Sequence, residues 1–93
     1  MSNLVRAEIL VSGLVQGVGF RYFVVKNSEA LGLKGFTQNL SNGKVYNIVE
    51  GEKFLIEDLL KQLRIGPSYS EVKSVDVNWT EFKNEFTNFE VRY

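Results

Sequence analysis

Residues 5–24 read Val-Arg-Ala-Glu-Ile-Leu-Val-Ser-Gly-Leu-Val-Gln-Gly-Val-Gly-Phe-Arg-Tyr-Phe-Val, and the hydrophobic period changes within this stretch. Val5, Ala7, Ile9, Val11, Gly13 and Val15 occupy alternate positions, with Arg6, Glu8 and Ser12 between them. A period of two predicts a half-buried strand. From Phe20 onward the apolar residues Phe23, Val24, Ala30 and Leu31 follow spacings of three, four and seven, broken by Asn27. This predicts a helix of about three turns with one face on a core, ended by Gly32 in the left-handed cap conformation. A strand that feeds a helix through a glycine-spaced loop is the start of a β-α-β unit.

The remaining chain completes the pattern. Leu33 to Asn39 reads as a second strand, and Ser41-Asn42-Gly43 as a hairpin turn, since Asn-Gly accepts positive φ angles. Lys44 to Glu50 is the third strand. After Gly51, Ile56, Leu59, Leu60 and Leu63 mark a second amphipathic helix, stopped by Gly66-Pro67. Val75, Val77 and Trp79 alternate in a fourth strand. Phe89, Val91 and Tyr93 alternate in a short closing strand beyond a polar loop from Thr80 to Asn88. The order β-α-β-β-α-β plus a C-terminal strand predicts an α+β, ferredoxin-like split β-α-β sandwich. Two helices would cover one face of an antiparallel sheet, within a single domain over residues 1–93. Phe20, Phe23, Phe36, Trp79 and Phe89 fall at periodic apolar positions and read as core.

Composition limits the chemistry. The 93 residues include no cysteine and no histidine, which excludes disulfides, Cys/His zinc sites, thiolate nucleophiles and imidazole acid–base catalysis. Eleven basic and eleven acidic residues give a net charge of zero, so no general attraction to nucleic acid or an anionic membrane is expected. The balance is uneven, with five basic and two acidic residues in 1–49 against six and nine in 50–93. An anion would prefer the first half. The longest uncharged run, Ile9 to Phe20, is too short and too glycine-rich to span a bilayer, and the N-terminus shows no secretory signal pattern. A cytoplasmic location and a monomeric state are the default expectations. Glu8, Glu29, Glu50, Asp58 and Asp76 form no metal-ligand cluster by spacing, and neither a metal nor a cofactor is expected.

Gly13-Leu14-Val15-Gln16-Gly17-Val18-Gly19-Phe20-Arg21 joins the first strand to the helix N-terminus. Closely spaced glycines let successive N–H groups converge, and a helix start adds unsatisfied donors and a positive dipole end. Such a loop suits a phosphate, with Arg21 placed for a charge-assisted contact. The residues alone also permit a tight connection with a solvated Arg21. A Walker A loop does not fit, because Gly13 and Gly17 enclose three residues and Val18 follows. The dinucleotide fingerprint fails at Tyr22. Asn39, by its position alone, could serve the hairpin backbone. Because the first two strands run parallel with the third between them, Asn39 would nonetheless lie at the same end of the sheet as the loop.

The stretch Gly13 to Arg21 resembles the first signature of the acylphosphatase family. Gly35-Phe36-Thr37-Gln38-Asn39, Gly43-Lys44-Val45 and Gly51 resemble the second, and the likeness extends through Gly66-Pro67 to Phe89-Glu90-Val91-Arg92-Tyr93. Thr37 departs slightly from the smaller or apolar residues more usual there. The resemblance implies hydrolysis of acyl phosphates to a carboxylate and inorganic phosphate, the phosphate being both product and competitive inhibitor. It implies that the backbone of Val15, Gln16, Gly17, Val18, Gly19 and Phe20 binds the phosphoryl oxygens together with Arg21, and that Asn39 orients the attacking water. Arg21 and Asn39 are then the catalytic pair, acting on a small-molecule substrate. No stretch marks a pocket for the acyl portion. A non-catalytic anion-binding module on the same scaffold is the competing expectation.

Overall fold

The computed structural model describes residues 3–93; Met1 and Ser2, the start of the expected 1–93 domain, lie outside the described residues. Its elements are β1 (Leu4–Leu14), α1 (Phe20–Ala30), β2 (Lys34–Asn39), β3 (Val45–Glu52), α2 (Lys53–Ile65), β4 (Glu71–Glu81) and β5 (Phe89–Arg92). They form the expected α+β sandwich around one five-stranded sheet, ordered β4-β1-β3-β2-β5. β3 lies antiparallel to both β1 and β2. The C-terminal ends of β1 and β2 therefore point the same way, and this brings the β1–α1 loop and Asn39 to one end of the sheet.

The sheet is mixed rather than antiparallel throughout, because β5 pairs parallel to β2 from Gly35↔Phe89 to Gln38↔Arg92. The cause lies in residues 82–88, which cross the open face of the sheet from the β4 edge to the β2 edge. Glu50, only 2% exposed, accepts hydrogen bonds from the Lys83 N–H at 2.7 Å and the Glu85 N–H at 2.9 Å. Arg6 donates to Glu85 at 2.7 Å, and the Gly35 N–H donates to the Asn88 carbonyl at 3.0 Å. A crossing fastened at these points delivers the chain to the outer side of β2, running in the same direction. Thr80 and Glu81 belong to β4 rather than to the loop.

Alternation in β1 buries Ala7, Ile9 and Val11 against the helices, with Val45 and Val49 of β3 beside them. α2 contributes the expected stripe of Ile56, Leu59, Leu60 and Leu63. The buried face of α1 differs from expectation, being Phe20, Val24 and Ser28, with Ala30 exposed and Phe23 half-buried. Steps of four from Phe20 stay near one stripe, whereas Ala30 is rotated about 120° from the middle of that stripe at 3.6 residues per turn. Two of the expected core aromatics also move. Phe36 is buried on the open face, against Tyr46, Phe86 and the Arg92 guanidinium, while Trp79 on the edge strand β4 is 37% exposed. Period two specifies which residues share a face, not which face is covered.

Replacing Glu50 by Ala removes the acceptor for two backbone donors and a partner of half-buried Arg6. The expected loss is about 3 kcal/mol, read by urea unfolding, whereas Glu90→Ala on the exposed surface should stay within about 0.5 kcal/mol of wild type.

Candidate active site

β1 ends on Leu14, Val15 just beyond it is buried, and the chain then turns through Gly17 and Gly19 with φ of 74° and 75°. Val18 between them has no positive φ. Alternation of the sign of φ along such a loop lets consecutive N–H groups turn to the same side of the chain. A Cβ at either glycine would meet no atom within 4 Å, so the backbone conformation, not space, calls for glycine. α1 starts at Phe20 with no side-chain cap and no acidic residue in its first turn. Among the described residues the N–H groups of 16–22 have no hydrogen-bond acceptor, and pairing begins with Phe23 N–H to the Gly19 carbonyl at 3.1 Å. The result is a concave row of donors at the positive end of a helix, an arrangement that attracts an anion.

Gln16 holds this row in place. Its side-chain amide donates to the Leu40 carbonyl at 2.7 Å and to the Lys44 carbonyl at 3.0 Å, both in the β2–β3 turn. That turn has three residues between Leu40 and Lys44, not the two of an Asn-Gly hairpin. Gly43 N–H bonds the Leu40 carbonyl at 3.2 Å, Gly43 alone takes positive φ, and Asn42 Oδ1 accepts from Lys44 N–H at 3.1 Å. The geometry is that of a type I turn followed by a left-handed residue.

Asn39 is the last residue of β2, immediately before the turn that Gln16 grips. Together with Arg21, Gly17, Gly19 and Phe20 it lines a cleft of about 360 Å³. Arg21 makes no ion pair among the described residues, and its guanidinium carbon stands 5.0 Å from the centre of the Tyr93 ring. The loop, Arg21 and Asn39 are thus brought together, while Gln16 and Val18 are not among the residues that line the cleft. Tyr22, Val25, Val91 and Tyr93 complete a largely apolar wall that had no sequence signal of its own. Its four residues come from α1 and the C-terminal strand region, and only the β2–β5 pairing makes them neighbours.

A larger cleft of about 480 Å³ opens on the other face of the sheet. The charges there largely satisfy one another. Hydrogen bonds from Asn78 at 2.8 Å and Tyr46 at 2.9 Å hold the Glu8 carboxyl below its ordinary pKa, and Arg6 is taken by Glu85 and Glu50. Burial, then the bond to Glu8, raises the Tyr46 phenol. An uncompensated cation beside an unpaired donor row is found only at the first of these two clefts.

The acylphosphatase family model matches residues 7–91. The chain belongs to this family. It is 47% identical to an acylphosphatase of Moorella thermoacetica over 90 residues, which cover 97% of this chain and 96% of that protein. Its fold matches the crystal structure of the Bacillus subtilis acylphosphatase with a TM-score of 0.93 at 29% identity, covering 96% of this chain and 99% of that one. It also matches part of full-length HypF in a phosphate- and nucleotide-bound form, with a TM-score of 0.91 at 34% identity. There the match covers 100% of this chain and 12% of the larger one. Acylphosphatases are enzymes that hydrolyse acyl phosphates, and the matched region includes both the loop and Asn39.

Gln16→Ala should leave the sheet and core intact but free the donor row from the turn. Loss of two hydrogen bonds worth about 1 kcal/mol each predicts phosphate affinity reduced about tenfold or more, measurable by calorimetric titration with unchanged far-ultraviolet dichroism.

Proposed function

We propose that the cleft hydrolyses acyl phosphates without a metal. The backbone of Val15, Gln16, Gly17, Val18, Gly19 and Phe20 and the Arg21 guanidinium hold the phosphoryl oxygens, and Asn39 orients the attacking water. The observation that carries this is the unpaired N–H row facing the same cleft as a guanidinium without a carboxylate partner. Phosphoryl transfer through a loose transition state needs mainly positioning and charge stabilisation. Preorganised donors and a fixed cation supply both.

Water oxygen bonds to phosphorus as the phosphorus–oxygen bond to the acyl group breaks, and the electron pair of that bond leaves on the carboxylate. A carboxylate leaving group has a conjugate acid of pKa about 4, by analogy with side-chain carboxyls. It departs as an anion, so no general acid is required. The proton of the water passes to a phosphoryl oxygen and leaves with the phosphate. Neither a carboxylate side chain nor an imidazole lines the cleft. Among the described residues no three acidic side chains gather to hold a metal, and Arg21 with the amides takes the charge-stabilising role. Val25 and Val91 offer burial rather than hydrogen bonds, which favours broad acceptance of small acyl groups.

The HypF match supports a second reading, an anion-binding module that does not turn over, since the same fold there is a small part of a larger protein. Inorganic phosphate acts as product and competitive inhibitor in the first reading and as a mere ligand in the second. No helix among the described residues is long and apolar enough to cross a membrane. A monomer in the cytoplasm is the setting we infer from the cysteine-free, charge-balanced composition.

The deciding experiment is hydrolysis of an aryl acyl phosphate in EDTA. Wild type should turn over. Arg21→Gln and Asn39→Ala should each lose about a hundredfold or more in kcat while keeping their dichroism spectra. Phosphate binding by a folded wild type without turnover would favour the module. Because no Asp, Glu or His side chain lines the cleft, kcat should also lack a bell-shaped dependence between about pH 5 and pH 8 from an enzyme acid–base pair; a bell in that window would contradict the proposed mechanism.

A further inference from the structure

Beneath Asn39 the sheet carries a polar patch that the mechanism has not used. Thr37 and Asn47 face each other across the β2–β3 ladder and are both fully buried. Asn47 also sits opposite Ile9 of the core, so this row faces the helices. Asn39, two residues beyond Thr37, shares that face and is a diagonal neighbour of Asn47.

Three atoms in this patch are buried without a partner: Thr37 Oγ1, Asn39 Oδ1 and Asn47 Oδ1. The Asn47 amide is already oriented, since its Nδ2 donates to the Ile9 carbonyl at 3.1 Å and the Val45 carbonyl at 3.4 Å. Its Oδ1 therefore remains as an acceptor. Buried polar atoms in folded proteins nearly always have partners, often an internal water. Two carbonyl acceptors and one hydroxyl match what a single water offers, namely two donated bonds and one accepted. The Asn39 amide nitrogen, by contrast, is absent from the buried unpartnered atoms of a residue that lines the cleft.

We propose that Thr37 and Asn47 are positioning residues which hold the Asn39 carboxamide through one shared buried water. The water donates to Asn39 Oδ1 and Asn47 Oδ1 and accepts from the Thr37 hydroxyl. Anchored from below, Asn39 presents Nδ2 to the attacking water in a fixed direction. This inference rests on the proposed role of Asn39 in the cleft.

The test combines a high-resolution crystal structure of the wild type with kinetics of Thr37→Val, Thr37→Ser and Asn47→Leu. The expected density shows one water within hydrogen-bond distance of all three oxygens. Thr37→Val keeps the shape of the side chain and should lower kcat about fivefold to tenfold, the worth of one net hydrogen bond, with KM and phosphate inhibition unchanged. Thr37→Ser, retaining the hydroxyl, should recover most of the rate. In an Asn39→Ala background Thr37→Val should have no further effect. A purely structural role would instead lower stability, leave kcat unchanged at assay temperature and show no dependence on Asn39. The proposal is overturned by wild-type density without the water, or by folded Thr37→Val and Asn47→Leu proteins with wild-type kcat beside an inactive Asn39→Ala. Wild-type turnover by Asn39→Ala would overturn the assignment of the site, and this inference with it.

Discussion

The two hydrogen bonds from the Gln16 amide to the Leu40 and Lys44 carbonyls tie the glycine loop to the β2–β3 turn, and both halves of the cleft take their positions from that tie. A loop whose N–H groups point outward has no internal ladder to hold its shape, and glycines at positive φ lose more chain entropy on ordering than other residues. Its geometry must be supplied from outside. The same two bonds fix the turn that follows Asn39, so the donor row and the carboxamide are registered against each other by one side chain.

The far face of the sheet supports the cleft as well. Glu50, buried beneath the crossing segment, grips the backbone at Lys83 and Glu85. That grip guides the chain to the edge of β2, where β5 pairs in parallel. β5 in turn carries Val91, and the chain beyond it Tyr93, to the wall beside Arg21. A carboxylate on one face thus helps to place an aromatic ring against the Arg21 guanidinium near the other. Weakening the crossing would loosen the cleft before it touched the core, because the crossing holds only the outermost strand.

Local periodicity made most of the architecture legible. Ala7, Ile9, Val11 and Val15 and the stripe from Ile56 to Leu63 bury the face that their spacing implies, while Val5 is half-buried and Gly13 is exposed beyond a register shift after Ser12. The order of the first four strands follows from the element order once β-α-β handedness is respected. What escaped was non-local. Phe36 alternates correctly but faces Phe86 across the open side, and nothing within β2 indicates that residues 82–88 will cover it. The parallel pairing of β5 depends on the same crossing. For the site, the glycine spacing marks the loop and Arg21, whereas Asn39 is marked only by the resemblance to the acylphosphatase signatures. The side-chain role of Gln16, itself within the first signature, was not legible, since an amide that bonds carbonyls 24 and 28 residues away has no local mark. The apolar wall was hidden likewise, because Val25 and Val91 become neighbours only through the sheet.

Most of the unsatisfied groups lie at or beneath the cleft, the buried Ser28 Oγ near the end of α1 apart. The unpaired N–H row and the unpartnered Arg21 lie just beyond the C-terminal end of β1, and the buried oxygens of Asn39, Thr37 and Asn47 lead from the C-terminal end of β2 toward the middle of the sheet. Each departs from what maximal stability would favour. The core formed by Ile9, Val11, Val24, Ile56, Leu59 and Leu63 is fully buried and sits toward the middle of the same sheet, where it can offset that instability without reshaping the site. A reaction whose leaving group needs no proton places few demands on side-chain acids and bases. It asks instead for polar groups held still and left unsatisfied until substrate arrives, and a small sheet with one pinned loop meets that requirement with neither histidine nor cysteine.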